Sequence, residues 1–481
     1  MSLLLSNSEQ WLDTYEAASA RQQYEMMMAA IAQPIPEDVI ESLDLVMELL
    51  ELQDELLKNN QIESTLGLID TLQQQQLTLY QKEFPYFDNF LAEYYLYLNE
   101  PQLIQPVVER YKTDPVAGID YLFQLLDYLK FYGMTELATD LCRTTYDRVR
   151  MSPKVMGGAE VDLASVILIS LVEQVHQTLQ RGETVDWEAF STEIGSYGFT
   201  QNQDLIADIR YGLETEIEID QQFLKNFKQE RQHPLLSLSF AFSKEMAERK
   251  GMSFICSQAI WKALLDFLER RKAPHKQVSQ PDGYFALDQK KLDAFVANLI
   301  GGFLSMKQAV GFGLIWGIPY VYEFLHSKQV IRQELQQQAI AAATAIKALL
   351  IQGFQSSLWK YDFVHRWLPP DSVSEADFAA EAEQFAASLL QVTPLSEEPG
   401  QGTFESKMHQ LAKAMGLSEP LNKDKAIAEK DPIALPPPVK SIAPAWEPPK
   451  PRKSPLKQAA DLASEQSKPK KPGKKKPQKG F

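Results

Sequence analysis

The sequence predicts an all-α protein built from stacked helical hairpins, in the manner of an α-solenoid or a multi-helix bundle, followed by a disordered basic C-terminal tail. Three observations carry this expectation. Apolar residues recur at intervals of three or four through residue 392. No stretch of comparable strength alternates with period two, and no Asn-Gly or Asp-Gly pair lies between apolar runs, as a β-hairpin would need. Beyond that point Pro and Lys accumulate and the periodicity is lost. Four regions follow: an N-terminal helical region 1–152, a central helical domain 153–392, a linker with one short helix 393–429, and a tail 430–481.

Taken in order, MSLLLSNSEQW has no basic n-region and no long apolar run, so it reads as entering folded structure directly rather than as a secretory signal. Helices are expected near 8–32, and then after Pro36-Glu37-Asp38, where Val39, Leu43, Val46, Leu50 and Leu57 keep helical intervals behind an acidic first turn. Further helices are expected near 61–82, 115–132, 134–150, 201–229 and 253–272. Residues 163–172 of VDLASVILISLVEQV are apolar on nearly every face, as in a helix surrounded by other helices. The preceding MSPKVMGGAE, with Pro153, Gly157 and Gly158, reads as a loop.

An offset of 34 residues superposes two segments of the first region. Leu91 falls on Leu125, Tyr94 on Tyr128 and Leu98 on Tyr132; past the turn, Leu103 falls on Leu137, Val107 on Leu141 and Val108 on Cys142. Leu91, Ala92 and Tyr95 sit where the tetratricopeptide repeat places its Leu-Gly and Tyr, and Ala138 where it places the Ala of its second helix; residues 86–150 resemble that family. The family's Trp is missing from both copies. The resemblance implies paired antiparallel helices, and a shared fold by itself says little about function.

Residues 295–325 are the most apolar passage, with Lys307 and Glu323 as its only charges. Lys307 divides it into runs too short to span a bilayer, which takes about 20 apolar residues. The passage is therefore expected as two central helices, 288–306 and 308–322. Ala297, Gly301 and Ser305 recur every fourth residue, as do Ala309, Gly313 and Gly317, so each helix should offer one smooth stripe for close packing. The Ala- and Gln-rich stretch 327–367 reads as one helix, with Ile331, Leu335, Ala342, Ile346, Leu349 and Ile351 inward, Gln and Lys outward, and Pro369 and Pro370 ending it.

The net charge of −16 hides an asymmetry. The tail 430–481 holds thirteen basic and four acidic residues, leaving −25 on the remainder. An acidic body repels nucleic acid and anionic lipid, so polyanion contact is assigned to Lys468, Lys470, Lys471, Lys474, Lys475, Lys476 and Lys479, as weak, salt-sensitive and indifferent to sequence. Twelve prolines make this tail unable to bury enough surface to order itself.

The motifs of common chemistry are missing from the sequence: no His-Glu-x-x-His, no Cys-x-x-Cys, no phosphate-binding glycine loop, no Gly-x-Ser-x-Gly. No cofactor or metal is expected. Cys142 and Cys256 sit among apolar residues and read as buried thiols, which fits a reducing, cytoplasmic setting. Glu214, Glu216, Glu218 and Asp220 read as a solvated acidic helix surface, and His365 in YDFVHRWLPP stands out as a histidine among aromatics. The expected function is a non-catalytic interaction or adaptor protein that binds a protein partner through its helical body. The alternatives are a peripheral membrane component using residues 295–325, and an enzyme without a recognisable motif.

Overall fold

The computed structural model describes residues 8–200, 202–271, 278–301 and 306–398. These form twenty α-helices and one 3-10 helix, with no strand among the described residues. The lysines from Lys468 to Lys479, and the short helix expected in 404–415, lie outside the described residues.

Helix ends follow local chemistry. Ser19 and Gln22 form a reciprocal capping box at the start of Ala20–Ile31. Asp186, Asp220, Ser253 and Ser374 each cap the helix that follows them. Several expected helices prove to be two. The 8–32 segment breaks into Ser8–Glu16 and Ala20–Ile31 at the Ser19 cap, and 61–82 into Ile62–Gln75 and Leu77–Leu98. The 201–229 segment breaks into Gln203–Glu214 and Gln221–Gln229, because Asp220 spends its carboxylate on the Phe223 N–H at 2.7 Å. Glu216 and Glu218 therefore sit in a connecting segment and not on a helix.

The two segments at an offset of 34 are stacked hairpins. Leu77–Leu98 pairs with Pro101–Thr113, and Ile119–Phe131 with Thr135–Met151; first helix packs on first, and second on second. Leu91, Leu125, Val107, Leu141, Val108 and Cys142 are all buried at these contacts. Asp88, fully buried, joins the first hairpin internally: Arg110 forks onto both its oxygens at 2.6 and 2.9 Å, and Tyr80 donates its hydroxyl. Burial pushes the Asp88 carboxyl up, against the pull of Arg110 and Tyr80. The stack continues across residue 152, since Thr135–Met151 packs along Glu160–Gln180, whose Leu163, Ile167 and Val172 are buried as its all-round apolar sequence requires.

The apolar passage lies inside. Helix Gln308–Ser327, the central helix hereafter, buries every residue from Gly311 to Tyr322. It is enclosed by Phe254–Arg270, Gln333–Gly353, Gln289–Gly301, Ile119–Phe131 and the 3-10 segment Leu358–His365. No helix among the described residues is long and apolar enough to cross a membrane. Its small residues let neighbours approach: a Cβ on Gly317 would meet Ile260 Cγ2 at 2.4 Å.

The companion stripe does not pack. Ala297 and Gly301 are exposed, and Ser305 lies outside the described residues. Gln289–Gly301 instead buries Leu292, Val296 and Leu299, because large apolar side chains return more on burial than small ones. A second expectation also fails. The 327–367 helix stops at Gly353, not at Pro369, and continues as the tighter Leu358–His365 turn. Leu349 points outward, 57% exposed, while the buried face runs through Ala339, Ala342, Ala343, Ile346 and Leu350.

After Glu375–Ser388, the last helix among the described residues, the chain returns to the first described ones. Thr393 N–H donates to Asn59 O at 3.0 Å, and Gln61 Nε2 to Thr393 O at 2.7 Å. Asn60, with φ of 52°, directs Nδ2 at the carbonyls of Ser356, Ser388 and Gln391, at 2.7, 3.0 and 3.2 Å.

Candidate interaction surface

Four elements converge on one carboxylate oxygen. The central helix brings Trp316, Gln333–Gly353 brings Lys347, the 3-10 segment brings His365 and Glu375–Ser388 brings Glu381. Glu381 Oε1 accepts the Trp316 indole N–H at 2.6 Å, lies 3.0 Å from His365 Nε2 and accepts from Lys347 Nζ at 3.2 Å. A neighbouring carboxylate requires Nε2 to carry a proton, so His365 donates there. The imidazole is wedged edge-on between Phe378 and Phe385, and the Lys347 ammonium lies 4.8 Å from the Trp316 ring centre.

The electrostatics follow from this crowding. Burial drives the Glu381 carboxyl up, but the His365 hydrogen bond, the Lys347 charge and the indole N–H outweigh it and bring it down to about 2. Burial lowers the Lys347 ammonium, and Glu381 opposes that only in part. His365, singled out in the sequence by its aromatic neighbours, thus belongs to an ionic joint that fixes Glu375–Ser388, with only its Nε2 engaged there.

The joint has an effect on the opposite side of Gln333–Gly353. Lys347 is the only charged residue between 335 and 354, and it is turned inward, its side chain 17% exposed. The outer face carries Ala341, Thr344, Ala345, Ala348, Leu349 and Gln352, all exposed and all uncharged. The expected Gln- and Lys-bearing outer face is therefore Gln without Lys. Nothing near Lys347 in the sequence signals this, because its partner Glu381 is 34 residues away.

Such a face suits protein contact. Small side chains allow a second helix backbone to come close, few rotamers are lost, and no ion needs to be stripped of water. On a body of charge −25 it is a patch that sets no charge of its own directly against a partner.

A separate polar cleft of about 440 Å³ opens where Thr135–Met151 and Phe254–Arg270 begin, lined by Thr135, Glu136, Ser170, Glu173, Gln174 and Gln177. Burial raises the Glu173 carboxyl, and the Phe254 N–H at 3.3 Å offsets this only in part. The cleft could hold a small polar molecule. Among the described residues no three His, Cys, Asp or Glu side chains are grouped to hold a metal ion. Cys142 and Cys256 are free thiols, fully buried, and burial pushes both well above the ordinary thiol range.

No family model, no curated protein and no solved structure matches this chain.

Proposed function

We propose that this chain is a non-catalytic interaction protein of the adaptor kind, acting in the cytoplasm. The outer face of Gln333–Gly353 binds a helix of a protein partner, and the basic tail adds weak electrostatic contact with polyanions. The observation that carries this reading is the uncharged exposed face produced when Glu381 draws Lys347 inward. The stacked hairpins support it as well, since such stacks present long, rigid surfaces.

The test uses the full-length chain as bait in an extract of its own source, beside Ala345→Glu, Ala348→Glu and a control at an exposed residue of another helix, Gln81→Glu. Both face residues are exposed, so the charges leave the fold intact, which circular dichroism verifies. A partner retained by wild type and the control and lost by both face variants supports the reading. Retention unchanged by either glutamate removes this face from the function.

A further inference from the structure

The cleft of about 440 Å³ at the start of Thr135–Met151 and Phe254–Arg270 holds one group without a counterpart. Glu173 Oε1 accepts the Phe254 N–H at 3.3 Å, while Oε2 is buried and has no hydrogen-bond partner among the described residues. Burial raises the carboxyl, and only the Phe254 N–H and the Thr135 hydroxyl oppose it. A glutamine would accept the same N–H through its amide oxygen and carry no charge, so capping the helix does not account for an anion here. A buried carboxylate oxygen left unpaired costs stability, which a cation entering the cleft returns.

The lining selects the sign and the shape of the missing group. Its charged residues are Glu173 and the exposed Glu136, and no lysine or arginine lines it among the described residues. The two helix N-termini oppose a cation with about half a unit charge each, against two full negative charges. Ser170, Gln174 and Gln177 add hydroxyl and amide oxygens that accept hydrogen bonds. A guanidinium forks onto both oxygens of one carboxylate, and Oε1 is taken; an ammonium needs only one. The residues do not suit a metal ion, since no three His, Cys, Asp or Glu side chains are grouped to hold one among the described residues. A turn about χ3 of Glu173, a soft torsion, presents Oε2 to the cleft.

We propose that this cleft binds a small aliphatic diamine, with one ammonium on Glu173 Oε2 and the other beside Glu136. The volume falls within the range of small-molecule sites, roughly 300–1,000 Å³. The carboxylate that caps Phe254–Arg270 is then also the counter-charge of the ligand. Occupancy stabilises the junction of Thr135–Met151, Glu160–Gln180 and Phe254–Arg270.

Calorimetric titration of the full-length protein with 1,4-diaminobutane, at about 150 mM salt to screen diffuse attraction, tests this. One molecule should bind per chain, at least roughly tenfold tighter than 1,4-butanediol, its neutral counterpart, as a hydrogen bond to a charged group is worth. Glu173→Gln should lose that margin while its ligand-free melting temperature stays unchanged or rises, because the amide keeps the cap and removes the buried charge. Glu136→Gln should weaken the diamine and leave butylamine unchanged. Glu218→Gln, an equal loss of charge on an exposed connecting segment, should change neither. Equal affinity for the diamine and the diol would overturn the proposal. So would wild-type affinity in Glu173→Gln, a loss in Glu218→Gln as large as in Glu173→Gln, which marks net charge alone, or succinate binding more tightly than the diamine, which marks helix ends selecting an anion.

Discussion

Gly313 and Phe131 meet without a side chain between them: a Cβ on Gly313 would lie 2.3 Å from Cε1 of the Phe131 ring. The ring cannot retreat easily, because it is fully buried and stacked 5.0 Å from Phe363. Gly313→Ala should therefore destabilise the protein by about 1–3 kcal/mol, and Gly313→Leu by more, through overpacking. Thermal denaturation measures this. In a double-mutant cycle Phe131→Leu should recover part of the Gly313→Ala loss; strict additivity would place the strain elsewhere.

The Glu381 joint predicts a dependence on acid. Its carboxyl is held below the ordinary value of 4.5, down to about 2, so the folded state favours the anion. That stabilisation is complete above about pH 4.5 and disappears as pH falls through about 2; it amounts to on the order of 3 kcal/mol. The wild-type denaturation midpoint should fall over this window more steeply than that of Glu381→Gln, which has already lost the charge. Lys347 and His365 face the same oxygen, so at neutral pH the variant should also be the less stable. Parallel pH profiles would show that the joint contributes nothing by ionisation.

Asp88 tests a buried pair. Asp88→Asn leaves Arg110, 29% exposed, without its anion and should cost about 3–5 kcal/mol. Replacing both by leucine should recover much of the loss, since a well-packed apolar pair is often as stable as the ion pair it replaces. Urea denaturation of the wild type and these two variants separates the outcomes.

Asn60 tests the return of the chain. Asn60→Ala removes the hydrogen bonds to three carbonyls and places a Cβ-bearing residue of poor left-handed tolerance at φ of 52°, a combined cost of about 2–4 kcal/mol. Asn60→Gly removes the backbone part and keeps the rest. Amide exchange along residues 389–398 should quicken in both variants, and unchanged protection there would show that Asn60 does not hold this segment.

Legibility in the sequence followed the range of the forces involved. Helices were readable because their signal repeats within a few residues, and the Gly313 and Gly317 stripe was readable because large apolar residues surround it. Ala297 and Gly301 show the identical spacing and are exposed, since spacing alone does not tell a close approach from an empty surface. Long-range pairing was invisible. Lys347 reads as a solvent-facing residue until Glu381 is brought to it, and the exposed side of its helix, hence the candidate surface, depends on that one meeting. The expected end at Pro369 missed Gly353 because a proline is a stronger sequence mark than a glycine that a helix can also tolerate.

The return of residues 388–398 to the first helices also sets an order of events at the ribosome. Asn60 and Ser388 are 328 residues apart, and at about 5–20 residues per second the acceptor emerges roughly 16–65 s after the donor. The early hairpins have that interval to form on local contacts alone, with the Asn60 amide still in water. The clasp that joins the two ends is made last, so a nascent chain halted before residue 388 would carry folded hairpins with an open seam.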